Sequence, residues 1–195
     1  MKIHRLPLSD PQKFGPKRAQ TRRNRTLEKH GQLNLFSGRI LQMESSAPFD
    51  EALRLDESGD YSSAQRFYLK AIEMEDSMAD AYCNLGIIAF RDQNYAKAID
   101  YLTLCLRYDH RHYEAHFNLA NIYAEIGNAP LAQIHYEVSI EMEPTFSNSY
   151  FNLALILVKI HEYSEAISRL KEYVQIAPAT EHKPALELIS KLSNL

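Results

Sequence analysis

Along residues 45–195 the apolar positions recur every three or four residues, the spacing of helices that bury one face. The pattern also repeats on a longer scale. Ala64, Ala98, Ala132 and Ala166 stand 34 residues apart, as do Leu85, Leu119 and Leu153. Tyr61, Tyr95 and Tyr163 keep the interval with Ala129 in the remaining place, and Phe117-Asn118-Leu119-Ala120 returns as Phe151-Asn152-Leu153-Ala154. Each unit, cut at Ser45, Ala79, Tyr113 and Ser147, breaks near its middle. Gly59-Asp60 and Gly127-Asn128 supply the left-handed residue that ends a helix, and Gln93-Asn94 and His161-Glu162 supply it less well. Two helices per unit are therefore predicted. Pro130 falls just inside a second helix, where its missing N–H costs nothing, while Pro144 and Pro178 follow the ends of second helices. Glu181 to Leu192, with Pro184 early and Leu186, Ile189 and Leu192 on one stripe, reads as a last helix covering the open face of the fourth unit.

The period and these residues resemble the tetratricopeptide repeat, whose pattern sets Leu at position 7, Gly or Ala at 8, Ala at 20, an aromatic or Leu at 24 and Pro at 32. The third unit matches with Leu119, Ala120, Ala132, Tyr136 and Pro144, the fourth with Leu153, Ala154, Ala166, Leu170 and Pro178, the second with Leu85, Gly86, Ala98 and Leu102. The first unit departs most, with Pro48 and Glu51 at positions wanting large and Leu residues, and reads as an end cap. The resemblance implies an all-α fold, a right-handed α-solenoid of four tetratricopeptide helix pairs (45–78, 79–112, 113–146 and 147–180) with a C-terminal capping helix over 181–195. Small residues at positions 8 and 20 let paired helices approach to roughly 8–10 Å.

The same resemblance implies a concave groove lined by the first helix of each pair. Its position 6 is Asn84, Asn118 and Asn152, and flanking positions hold Phe117 and Phe151, then Ile87, Asn121 and Leu155, then Asp80 and Glu114. An amide offers one acceptor and two donors, so a row of them can pair with peptide backbone without reading side chains. Such a row resembles the asparagine ladder in the repeat domain of O-linked N-acetylglucosamine transferase; alternatively each Asn bonds a neighbouring helix. Chaperone adaptors of this family that grip an acidic tail use a Lys where this chain has Asp80 and Glu114, and Lys159 stands alone on the basic side. The expected partner is thus a protein segment or peptide, neutral or basic and extended, and not a carboxylate tail.

Charge changes the picture N-terminal of the repeats. Residues 1–44 hold ten Lys/Arg against three Asp/Glu, so the net charge of -3 conceals a tail of +7 on a body of -10. With Pro7, Pro11, Pro16 and no sustained apolar periodicity, this stretch is expected to be a mostly disordered, basic tail. Opposite charge would let it lie in the groove and compete with partners. Within it Gln32, Leu33, Leu35 and Phe36, with Asn34 between, resemble the peptide that docks bacterial polymerases on the replication sliding clamp. That reading makes the protein a replication or repair accessory; the alternative packs Leu33, Leu35, Phe36, Ile40, Leu41 and Met43 on the first unit. Lys17 to Arg25 would permit salt-sensitive, sequence-blind contact with nucleic acid, or form a solvated stretch, since no aromatics interleave to stack on bases.

Other chemistry is sparse. The longest apolar run, Leu153 to Val158, falls far short of the roughly 20 residues that cross a bilayer, and no signal-peptide stretch opens the chain, so no membrane partner and a cytoplasmic location are expected. Neither nucleotide-binding glycine motif occurs, and Cys83 and Cys105 show no metal-ligand spacing. His112 and His116 stand one helical turn apart, as a zinc pair would, but nothing completes the site and His116 occupies a packing position. No catalytic constellation, cofactor or metal is expected, and the chain reads as a non-catalytic interaction adaptor.

Overall fold

The computed structural model of the protein describes residues 47–194. The basic segment, the Gln32 to Phe36 motif and the expected disorder of residues 1–44 lie outside the described residues. Among the described residues every regular element is a helix, and they group into two compact units, 47–108 and 109–194. The first unit holds α1 (Pro48–Glu57), α2 (Tyr61–Glu73), α3 (Met78–Arg91) and α4 (Tyr95–Tyr108). The second holds α5 (Tyr113–Glu125), α6 (Ala129–Met142), α7 (Ser147–Lys159), α8 (Tyr163–Ile176), a 3-10 turn (Ala179–Glu181) and α9 (His182–Leu192). The all-α fold of tetratricopeptide helix pairs expected from the period is the fold observed.

The turn inside each pair shows how the sequence imposes the period. Gly59, Gln93, Gly127 and His161 all take positive φ, at 87°, 59°, 84° and 68°. Two of these are glycines, for which that conformation is nearly free; Gln93 and His161 adopt it against a Cβ penalty. The next residue caps the second helix. Asp60 accepts from the Ser63 N–H at 3.0 Å, Asn94 from Lys97 at 3.2 Å and Asn128 from Leu131 at 3.2 Å, whereas Glu162 makes no such bond.

The recurring alanines Ala64, Ala98, Ala132 and Ala166 are all fully buried, where a small side chain lets helices approach. In the first unit Phe49, Ala52, Tyr68, Ala71, Leu85 and Ile88 form the core, and buried Asp56 accepts from the Tyr68 hydroxyl at 3.2 Å. The tightest approach is at Gly86: a Cβ there would lie 2.7 Å from Leu102 Cγ. In the second unit one core runs from Phe117 through Tyr136, Leu153 and Leu170 to α9. The α9 stripe differs from expectation. Ala185, Leu188 and Leu192 are buried and Leu186 is 52% exposed, because 185, 188 and 192 keep the three- and four-residue spacing of one face and 186 falls outside it. No helix among the described residues is long and apolar enough to cross a membrane.

Candidate functional site

Of the residues singled out for the groove, Asp80, Asn84 and Ile87 lie on α3 in the first unit. Asn84 and Ile87 are buried and Asp80 is half-buried. Glu114, Phe117, Asn118 and Asn121 lie on α5, and Phe151, Asn152 and Leu155 on α7, all in the second unit. Phe117 and Asn118 are almost fully enclosed and Phe151 is 6% exposed, while Glu114, Asn121, Asn152 and Leu155 keep partial exposure.

The structure brings Asn121 and Asn152 together. Asn121 Oδ1 accepts from Asn152 Nδ2 at 3.0 Å and from the Tyr136 hydroxyl at 2.6 Å, so one carbonyl ties α5, α6 and α7. Burial pushes the Tyr136 hydroxyl well above its ordinary pKa, and its contact with Asn152 offsets part of that rise, so Tyr136 stays a donor. Both lone-pair directions of Asn121 Oδ1 are used, and its Nδ2 is buried with no hydrogen-bond partner among the described residues. A buried amide N–H₂ left unmatched is costly to the fold.

Aromatic rings floor this region. Phe146 packs edge-on against Tyr113 and Phe117, with centroids 5.0 and 5.1 Å apart, and Phe151 lies 5.1 Å from Tyr173. Leu155 packs against the same core from its partly exposed position. Tyr136, Tyr113 and Phe146 were not among the residues the sequence nominated. Tyr136 read as a packing residue at position 24, and nothing in its spacing announced a hydroxyl turned onto Asn121.

The histidines arrange differently from a one-turn pair. His112 Nδ1 sits 3.2 Å from the Ala115 N–H at the start of α5 and 3.2 Å from a Glu114 carboxylate oxygen. A neutral ring accepts from Ala115; a ring protonated at Nδ1 donates to Glu114 instead. His116 turns to His135 on α6, their Nδ1 atoms 3.0 Å apart, with Tyr123 stacked on His135. Burial holds His135 down to about 4 and lowers His116, which a hydrogen bond with the His110 backbone partly restores. One ring must donate and the other accept, so the pair carries at most one shared proton while it stays closed.

Comparison with known proteins matches this architecture. Sequence profiles described as tetratricopeptide repeat fit residues 49–104 and 135–168. Over 122 residues the chain is 24% identical to the UDP-N-acetylglucosamine--peptide N-acetylglucosaminyltransferase of Giardia intestinalis, covering 63% of this chain and 8% of that protein. Over 121 residues it is 25% identical to Hsp70-Hsp90 organizing protein 1 of Glycine max, covering 60% of this chain and 21% of that protein. The chain thus spans only a small part of each relative. Among solved structures it resembles YrrB, described as a TPR protein with an unusual peptide-binding site, with TM-score 0.63, 20% identity and 75% coverage of both chains. Over residues 49–104 and 135–168 the chain is a tetratricopeptide repeat protein.

Proposed function

We propose that the protein is a non-catalytic adaptor that holds an extended segment of a protein partner through the face formed by α5 and α7. The observation that carries this reading is the unmatched Asn121 Nδ2, beside Asn152 and the partly exposed Leu155. Once the Asn121 side chain turns to present its enclosed Nδ2, a backbone carbonyl of a bound strand would accept from that amide without regard to the strand's side chain, while an aliphatic or aromatic side chain would rest on Leu155. Half-buried Glu114 and the excess of Asp/Glu over Lys/Arg in residues 109–194 favour a neutral or basic segment. Support also comes from the names of the similar proteins: YrrB has a peptide-binding site, and Hsp70-Hsp90 organizing protein 1 is named for assembling partners.

Peptides selected from a random library against the immobilised full-length protein test the assignment. Asn121→Asp keeps the carboxyl oxygen that receives Tyr136 and Asn152 but replaces the donor, so selected peptides should bind it roughly tenfold more weakly, about 1.4 kcal/mol. Equal affinity for both proteins, at equal melting temperature, removes Asn121 from the binding surface.

A further inference from the structure

The second repeat differs from its siblings at one pair of positions. Where the first, third and fourth carry Phe49 and Ala71, Phe117 and Ser139, and Phe151 and Tyr173, the second carries Cys83 on α3 and Cys105 on α4. Both side chains are fully enclosed, neither is in a disulfide, and their sulfur atoms lie within 4.8 Å of each other. Two thiols so placed, on helices packed as closely as Gly86 allows against Leu102, face each other across a single helix interface.

We propose that Cys83 and Cys105 are an oxidation site, converted by hydrogen peroxide into an intrachain disulfide that ties α3 to α4. One thiolate attacks the O–O bond of the peroxide, giving a sulfenic acid and releasing hydroxide. The second thiolate then displaces hydroxide from that sulfur and forms the S–S bond. Two thiols and one peroxide become one disulfide and two waters; the sulfurs lose two electrons and the peroxide oxygens gain them. A disulfide needs the sulfurs about 2.05 Å apart, so the bond requires rotation about the two Cα–Cβ bonds together with any shift of α3 against α4 needed to close the observed separation.

Enclosure sets the chemistry. It admits a small oxidant and excludes one the size of glutathione, so a glutathione adduct does not form while the repeat is closed. Entry requires α3 and α4 to part briefly, so the reaction rate follows local opening. Once one sulfenic acid exists, the neighbouring thiol captures it before a second peroxide arrives, and further oxidation is suppressed. Cys83 shares α3 with Asp80, Asn84 and Ile87, so the bond fixes a helix whose residues were nominated for the groove.

Full-length protein exposed to hydrogen peroxide at neutral pH, blocked with N-ethylmaleimide and digested with trypsin without reductant provides the test. A linked pair of peptides is expected, one following Lys70 and ending at Arg91, the other following Lys97 and ending at Arg107. The intact protein should lose the mass of two hydrogens and melt at higher temperature, and dithiothreitol should reverse both changes. Cys105→Ser should abolish the linked pair and leave Cys83 as thiol or sulfinic acid. The reaction is repeated in denaturant just below the unfolding midpoint, so that slow entry is not mistaken for lack of reaction. Absence of the linked pair under both conditions, or its replacement by links between molecules, overturns the proposal.

Discussion

At equivalent positions, 34 residues apart, α3 and α4 set Tyr82 beside Tyr101 with centroids 6.3 Å apart, whereas α5 and α6 set His116 against His135 with Nδ1 atoms at 3.0 Å. Next to Tyr82 and one turn beyond Tyr101, Cys83 and Cys105 correspond to Phe117 and Ser139, and Ser139 donates to the Tyr113 carbonyl at 3.1 Å. The residues that hold the pairs closed hardly change: Leu85 and Leu119 are 1% and 3% exposed, and Ala98 and Ala132 are fully buried. A helix pair of this kind therefore separates its duties. A few apolar positions fix the geometry, and the intervening inward positions accept thiols, imidazoles, phenols or rings without disturbing it.

The comparison breaks most visibly at the shared positions. Leu85→Ala and Leu119→Ala should each lower unfolding free energy by about 2–5 kcal/mol in urea titrations, and a large difference between them would deny that the two pairs share a frame. Gly86→Ala sharpens the contrast at position 8, where the third repeat already carries Ala120. Helix propensity gains about 1 kcal/mol, but overlap with Leu102 costs about 1–3, so a net loss of up to about 2 kcal/mol is expected. A stabilised variant would show that Leu102 moves aside freely.

A smaller effect separates the repeats by pH. His135 titrates near 4 when folded against 6.5 for an ordinary imidazole, so the unfolded chain binds more protons between those values. Stability attached to this group is complete above 6.5 and declines as pH falls toward 4, with the half-exposed ring moderating the loss. His135→Gln should flatten the stability profile in that window, while a change at Tyr101, the equivalent residue, should leave it alone. Smallest of all, Gln93→Gly should raise stability by up to about 1 kcal/mol, because it relieves a left-handed residue that Gly59 and Gly127 supply without strain. An unchanged melting temperature would place the strain elsewhere.

Most of the fold was written in repetition. Alanines at a fixed interval announced close helix contacts, and the glycines at 59 and 127 marked turns that Gln93 and His161 then had to follow. The positive φ of Glu75 and Ser77, between α2 and α3, was not legible, since neither residue type favours that conformation. The candidate site was legible as a set of positions and not as a set of bonds. Asn121 and Asn152 were nominated by register, but whether an amide faces solvent or a neighbouring helix depends on side-chain rotation after packing. His116 and His135 are 19 residues apart in the chain, a separation that carries no signal until two helices lie side by side.

The evenly spaced left-handed turns imply a mechanical behaviour. Within each unit the pairs lean on one another through α2 and α3 or α6 and α7, so a load drawn along the chain should release one pair at a time. Every rupture would free the same run of backbone, and a force–extension trace would show steps of roughly 100 Å, near the reach of a stretched unit.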